Sequence, residues 1–217
     1  NFGTGLGVQL GNADGNAYAN DLLLTAVLAD VNSKADAGAI YLIKDIDKRT
    51  GQFDLINPHH VSARWTGGTA SDQLGSTVNG GLGVQLVNVD GNASANDLLL
   101  TASNGNCGKA DNGCVYLIKD INTASGARDL NQTAFWNARW DGNAVATTDQ
   151  LGNTVNSGLG VQLVNVDNNA YANDLLLTAS LANYGARADA GIIYLIKDIH
   201  SVSGIRAFTT VGTYHAA

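Results

Sequence analysis

The stretch from Gly81 to Ala102, GLGVQLVNVDGNASANDLLLTA, decides the fold because the chain contains it three times. The other copies are GLGVQLGNADGNAYANDLLLTA from Gly5 and GLGVQLVNVDNNAYANDLLLTA from Gly158, a period of about 76 residues. Within each copy LGVQLVNV or its counterpart alternates apolar and polar side chains, the pattern of a half-buried strand. DLLLTA is a short apolar run bounded by turn formers and reads as a second strand. Between them lies a run of Asp, Asn and Gly, residues that favour tight turns through local side-chain to backbone bonding.

Working outward, each copy leads through a variable loop into a second shared block. These are DAGAIYLIKDI from Asp36, DNGCVYLIKDI from Asp111 and DAGIIYLIKDI from Asp189. Its apolar, β-forming centre predicts a third strand. The first two copies continue into SARWTGGTASDQLGSTVN and NARWDGNAVATTDQLGNTVN, and the third has no such block. A fourth strand is expected near Val61–Trp65, Phe135–Trp140 and Ala207–Thr213. The expected architecture is all-β: one repeat domain over residues 1–217, with units of approximately 5–80, 81–157 and 158–217. Four antiparallel strands per unit, in sequence order, describe a propeller blade, a small sheet that needs neighbours to cover its faces.

Composition agrees with a turn-rich β protein. There are 26 Gly and one Pro, every carboxylate is Asp, and Glu and Met are absent. Charged residues make up only 14%, against a usual share of about 25%. A net charge of -7 with no Lys/Arg cluster argues against a nucleic-acid partner. No apolar run approaches the ~18 residues of a membrane-spanning helix.

The polar loops carry the chemistry. Oxygen-bearing residues alternate as Asp14, Asn16, Tyr18, Asn20 and Asp21 in the first copy. The second has Asp90, Asn92, Ser94, Asn96 and Asp97, and the third has Asp167, Asn169, Tyr171, Asn173 and Asp174. Calcium takes 6–8 oxygens at about 2.3–2.6 Å from carboxylates, amides, backbone carbonyls and water, and alternation around a tight turn gathers such a set. Ser94 offers a hydroxyl or its carbonyl, and the tyrosines only a carbonyl. The competing reading is a set of Asx-turns, with no ion at all.

At LGVQLVNVDGN the chain resembles the FG-GAP repeats of integrin-type β-propellers. Leu82–Gly83 stand where that family has Phe-Gly, Asp90 and Asn92 stand at the first two loop ligands, and Asp97–Ala102 matches the following strand. Gly113–Leu117 resembles its Gly-Ala-Val-Tyr-Leu block. The loops are one residue shorter than the family pattern, their fifth position is not Asp, the ending is Thr-Ala, and Asn168 replaces Gly91. The resemblance implies an extracellular, calcium-stabilised propeller module of recognition or cell adhesion, secreted or at the cell surface, with Ca2+ in its loops and no enzymatic activity. Its partners would be an extracellular protein or a glycan, in a lectin-like manner.

Three units cannot close a ring of four to eight blades. The expected remedies are further blades on a longer chain, a two-chain ring of six blades with C2 symmetry, or an open filament. The alternative to a recognition module is therefore a secreted structural subunit that self-assembles into a fibre or coat.

Four further features bear on function. Cys107 and Cys114 lie in CGKADNGC and are expected to form a loop-stapling disulfide, which fits an oxidising compartment. His59, His60, His200 and His215 show no ligand-like spacing and are expected at the surface. The recurrent pairs Lys34/Asp36, Lys109/Asp111 and Arg187/Asp189 are open between a ring of ligand contacts and local charge pairs. Trp65, Trp136 and Trp140 are expected to pack blade against blade.

Overall fold

The computed structural model describes residues 7–76, 83–92, 94–143, 149–153, 160–184 and 186–208. Leu82 and His215 lie outside them, as do residues 209–213 of the third expected fourth strand. The fold is all-β. In the first unit, β1 (Val8–Gly11), β2 (Asp21–Ala26), β3 (Ala39–Ile43) and β4 (Ala63–Thr66) form an antiparallel meander. The second unit repeats it with β5 (Val84–Val87), β6 (Asp97–Ala102), β7 (Cys114–Ile118) and β9 (Ala138–Asp141). The third has β10 (Val161–Val164), β11 (Asp174–Ala179) and β12 (Ile192–Ile196).

Two short strands fall outside this scheme. β8 (Gly126–Asp129) follows β7 in sequence but pairs in parallel with β4, Ala63 opposite Gly126. β13 (Gly204–Ala207) likewise pairs in parallel with β9, Gly204 opposite Ala138. The sheets therefore run β1-β2-β3-β4-β8, β5-β6-β7-β9-β13 and β10-β11-β12. This corrects the expectation of four purely antiparallel strands per unit, and the assignment of Ala207 to the third unit's own fourth strand. The second and third repeats instead each lend a fifth strand to the one before. The lending strands are four residues long, too short for alternation to show, and each begins at a glycine with positive φ, 68° at Gly126 and 74° at Gly204. That backbone is cheap only for glycine and turns the chain from its own sheet onto the neighbour's.

Alternation sorts side chains into two faces per sheet. Leu23, Ile40, Leu42, Ala63 and Trp65 of the first sheet pack on Val84, Leu98, Leu100, Tyr116 and Ile118 of the second. The second sheet's other face, Leu99, Val115, Leu117, Ala138 and Trp140, packs on Val161, Leu175, Leu177 and Tyr194 of the third. Trp65 and Trp140 are almost wholly buried in these two interfaces between sheets. Trp136 joins the first, its Nε1–H donating to the Leu130 carbonyl at 3.1 Å.

The DQLG block clasps neighbouring sheets. Leu74 and Leu151 are fully buried, while Gly75 N–H donates to Thr101 O at 2.7 Å and Gly152 N–H to Thr178 O at 2.8 Å, each a bond to the next unit. A β-carbon on Gly83 would lie 1.9 Å from the Gly75 carbonyl oxygen, so only glycine permits that approach.

Cys107 and Cys114 form the expected disulfide, with their Cα atoms 5.9 Å apart. It takes the place of the apolar contact that Val31 and Ala39 share with Tyr41 in the first unit. By loop-closure entropy, a bridge enclosing so short a loop is worth about 2.5 kcal/mol. The double substitution Cys107→Ala, Cys114→Ala is expected to lose that amount in urea unfolding; a loss below about 0.5 kcal/mol would show that packing alone holds the loop.

Candidate metal centre

Each polar loop is a ladder of Asx-turns. In the second unit Asn92 N–H donates to Asp90 Oδ1 at 3.1 Å and Ser94 N–H to Asn92 Oδ1 at 3.1 Å. The first unit repeats this at 3.0 Å and 2.8 Å, and the third at 3.3 Å for both. Asn88 closes the loop, accepting from Gly91 N–H at 2.8 Å and donating from Nδ2 to the Asn92 carbonyl at 2.5 Å. Asn12 spans the same positions in the first unit, and Asn165 donates to the Asn169 carbonyl at 2.8 Å in the third. The Asx-turn reading of these loops is therefore correct as far as it goes. It does not use up their oxygens.

The last loop aspartate is a buried staple. Val89 N–H donates to Asp97 Oδ2 at 2.9 Å, and Asp120 N–H to Asp97 Oδ1 at 3.0 Å. Asp21 and Asp174 make the equivalent bonds. These bonds bring the aspartate of the LIKD block over the loop, a residue that sequence reasoning missed. Asp45, Asp120 and Asp198 have φ of 52°, 56° and 55°, a left-handed conformation unusual outside glycine. The available signal was that this aspartate recurs at one offset in all three copies.

The consequence is a convergence of charge. One carboxylate oxygen from each of Asp90, Asp97 and Asp120 lies within 4.8 Å of the others, and the same holds for Asp167, Asp174 and Asp198. Burial raises the Asp97 pKa above its ordinary value, and the charges of Asp90 and Asp120 add to this, against the lowering by its two N–H donors. Asn92 and Asn96 both turn Nδ2 toward Asp120 Oδ1 at 3.4 Å. The Asn96 side chain is buried, and its Oδ1 has no hydrogen-bond partner. A buried amide oxygen without a partner costs about 1–3 kcal/mol, and beside three carboxylates a hard cation is the group that would satisfy it. These residues could offer a hard cation such as calcium three carboxylates and the Asn96 amide oxygen, with backbone carbonyls and water to complete the set.

No family model matches this chain, and no curated protein matches it.

The three loops are not equivalent. Position 48 is Lys in the first unit where the others have Thr123 and Ser201. Lys48 Nζ sits 2.8 Å from Asp45 Oδ1, and this hydrogen bond and charge hold the Asp45 carboxyl below its ordinary pKa. Asp14, Asp21 and Asp45 do not converge as the other two triads do. The ammonium thus puts beside Asp45 a positive charge that Thr123 and Ser201 cannot supply in the other loops.

Of the other expected site residues, the fifth-position side chains leave their own loops. Ser94 Oγ lies 2.9 Å from the β-carbon position of Gly15, and the Tyr171 ring lies against Gly91. Each thus leans on the preceding unit, leaving Ser94, Tyr171 and, by position, Tyr18 with only a carbonyl to offer. Lys34 is neither a free ligand contact nor a hairpin pair: its Nζ reaches Asp129 of β8 at 2.7 Å and ties the lent strand to the first sheet. His60 accepts from Asp54 N–H through Nδ1 at 2.9 Å, and His200 Nδ1 lies 3.0 Å from Asn173 Nδ2 at the rim of the third loop. No helix among the described residues is long and apolar enough to cross a membrane.

Proposed function

We propose that this chain is a calcium-stabilised module of propeller-type blades, secreted or displayed at the cell surface, that serves extracellular recognition or adhesion and not catalysis. The observation that carries the reading is the second loop, where Asp90, Asp97 and Asp120 converge beside the partnerless Asn96 oxygen. Repetition of the carboxylate triad in the third unit supports it, as do the disulfide and the FG-GAP resemblance of the strands around each loop. Calcium would add electrostatic closure: it cross-links β6 and β11, through Asp97 and Asp174, to the turns that follow β7 and β12. A ligand, protein or glycan, would then meet loops held rigid by the ion, which lowers the ordering cost of binding.

The Lys48 difference gives a direct test. In calcium, the wild type is expected to bind two ions per chain, one at each convergent triad. Lys48→Thr is expected to raise the count to three by releasing Asp45, as read by native mass spectrometry. An unchanged count in the variant would mean that Lys48 is not what closes the first loop. For the recognition half of the reading, a glycan array probed in calcium would separate a lectin-like module from a protein-binding one.

A further inference from the structure

The two ends of the stack expose the same surfaces that its interior buries. Ile40 and Val115 are fully buried against the following sheet, whereas their counterpart Ile193 on β12 is 72% exposed. At the other end, Val84 and Val161 are 6% and 1% exposed against the preceding sheet, whereas Val8 on β1 is 53% exposed and Leu10 is 60% exposed. The open faces are different, one of each kind, and each matches a partner already seen inside the molecule.

Polar contacts across the junctions are unfilled in the same way. Lys44 Nζ donates to the Asn122 carbonyl of the next unit, and Lys119 Nζ to the His200 carbonyl at 2.6 Å. Lys197 holds the same place in the third unit and has no such partner among the described residues. The carbonyl equivalent to Asn122 and His200 at the opposite end is that of Asp47. Tyr171 leans on Gly91 of the unit before it, while Tyr18 in the first unit is 72% exposed.

We infer that a second copy of this chain docks head to tail, the Ile193 face of one copy covering the Val8–Leu10 face of the next. Lys197 reaches the Asp47 carbonyl across that junction. The occupant is another copy because the missing surface is not generic apolar area: it is the surface the chain carries at its own other end, continuous with two interfaces it already forms. The interface is heterologous, so it closes into a ring or extends as a filament according to the rotation between copies. Strand lending is not part of it, since the third unit shows no fourth strand among the described residues for Gly51–Asp54 of the next copy to join. The inference does not rest on the metal reading, because none of these residues belongs to the carboxylate triads.

The test is sedimentation velocity of the whole chain in calcium buffer over a range of concentrations. The wild type is expected to associate as concentration rises. Leu10→Asp and Ile193→Asp, both at exposed positions and checked for folding by near-UV circular dichroism, are each expected to be monomeric. Mixed in equal amounts, they are expected to form a dimer and nothing larger, since each retains the one face the other has lost. A wild type that stays monomeric, a single variant that associates like the wild type, or a mixture that fails to dimerise would each overturn the inference.

Discussion

Replacing Trp140 with alanine is expected to lower the unfolding free energy by about 3–5 kcal/mol, the usual cost of emptying a buried tryptophan site. Trp140 is 1% exposed and lies opposite Val115 in β9, in the centre of the interface between the second and third sheets. Its neighbours Leu99, Val115, Leu175 and Leu177 belong to strands fixed by ladder bonds on both sides, so the site can collapse only in part. Against a typical total of about 5–15 kcal/mol, this loss is large. Stability in a stack of repeats is a sum of unit and junction terms. The damage should therefore appear first at the third sheet, with early proteolytic cleavage in the 180–190 loop. Urea unfolding checks the magnitude; a loss within about 1 kcal/mol would mean that this junction is not the structural joint described here.

Calcium is expected to produce the second large effect. An ion that binds only the folded chain stabilises it by about 2.7 kcal/mol at a hundred times its dissociation constant. Two sites acting on one cooperative unit then give about 5 kcal/mol, or roughly 10–20 °C in melting temperature. Asp120→Asn keeps the shape of the side chain and tolerates the left-handed backbone, but removes one of three converging charges. It is expected to lose about half of the calcium-dependent shift and to leave the melting temperature in chelator nearly unchanged. Adding Asp198→Asn should remove the remainder. Melting curves that ignore calcium in the wild type would return the loops to plain Asx-turns.

The unit of the fold was legible because it is written three times. The alternation in VQLV, the apolar runs DLLLTA and IYLI, and the Asp/Asn loop between the first two locate three strands per repeat within a residue or two. The fifth strand was not legible. GARD and GIRA are short, exposed on much of their surface and paired in parallel with a strand of the previous unit, and a local pattern records none of these things.

The candidate site was half legible. Alternating oxygens marked the loop residues, but Asp120 lies 23 positions beyond Asp97, to which its N–H is bonded. Only the β6–β7 hairpin brings them together. Chemical type alone made the Ser94 hydroxyl look like a ligand, whereas its neighbour in space is a glycine of another unit. Lys48, one residue different from Thr123 and Ser201, turns out to separate the first loop from the other two.

The most direct measurement of the central claim is native mass spectrometry of the wild-type chain in millimolar calcium, beside a chelated control. The account predicts two calcium ions per chain that resist mild activation and vanish in chelator. Masses that show no bound calcium, or only a nonspecific ladder unchanged by Asp120→Asn, would contradict it.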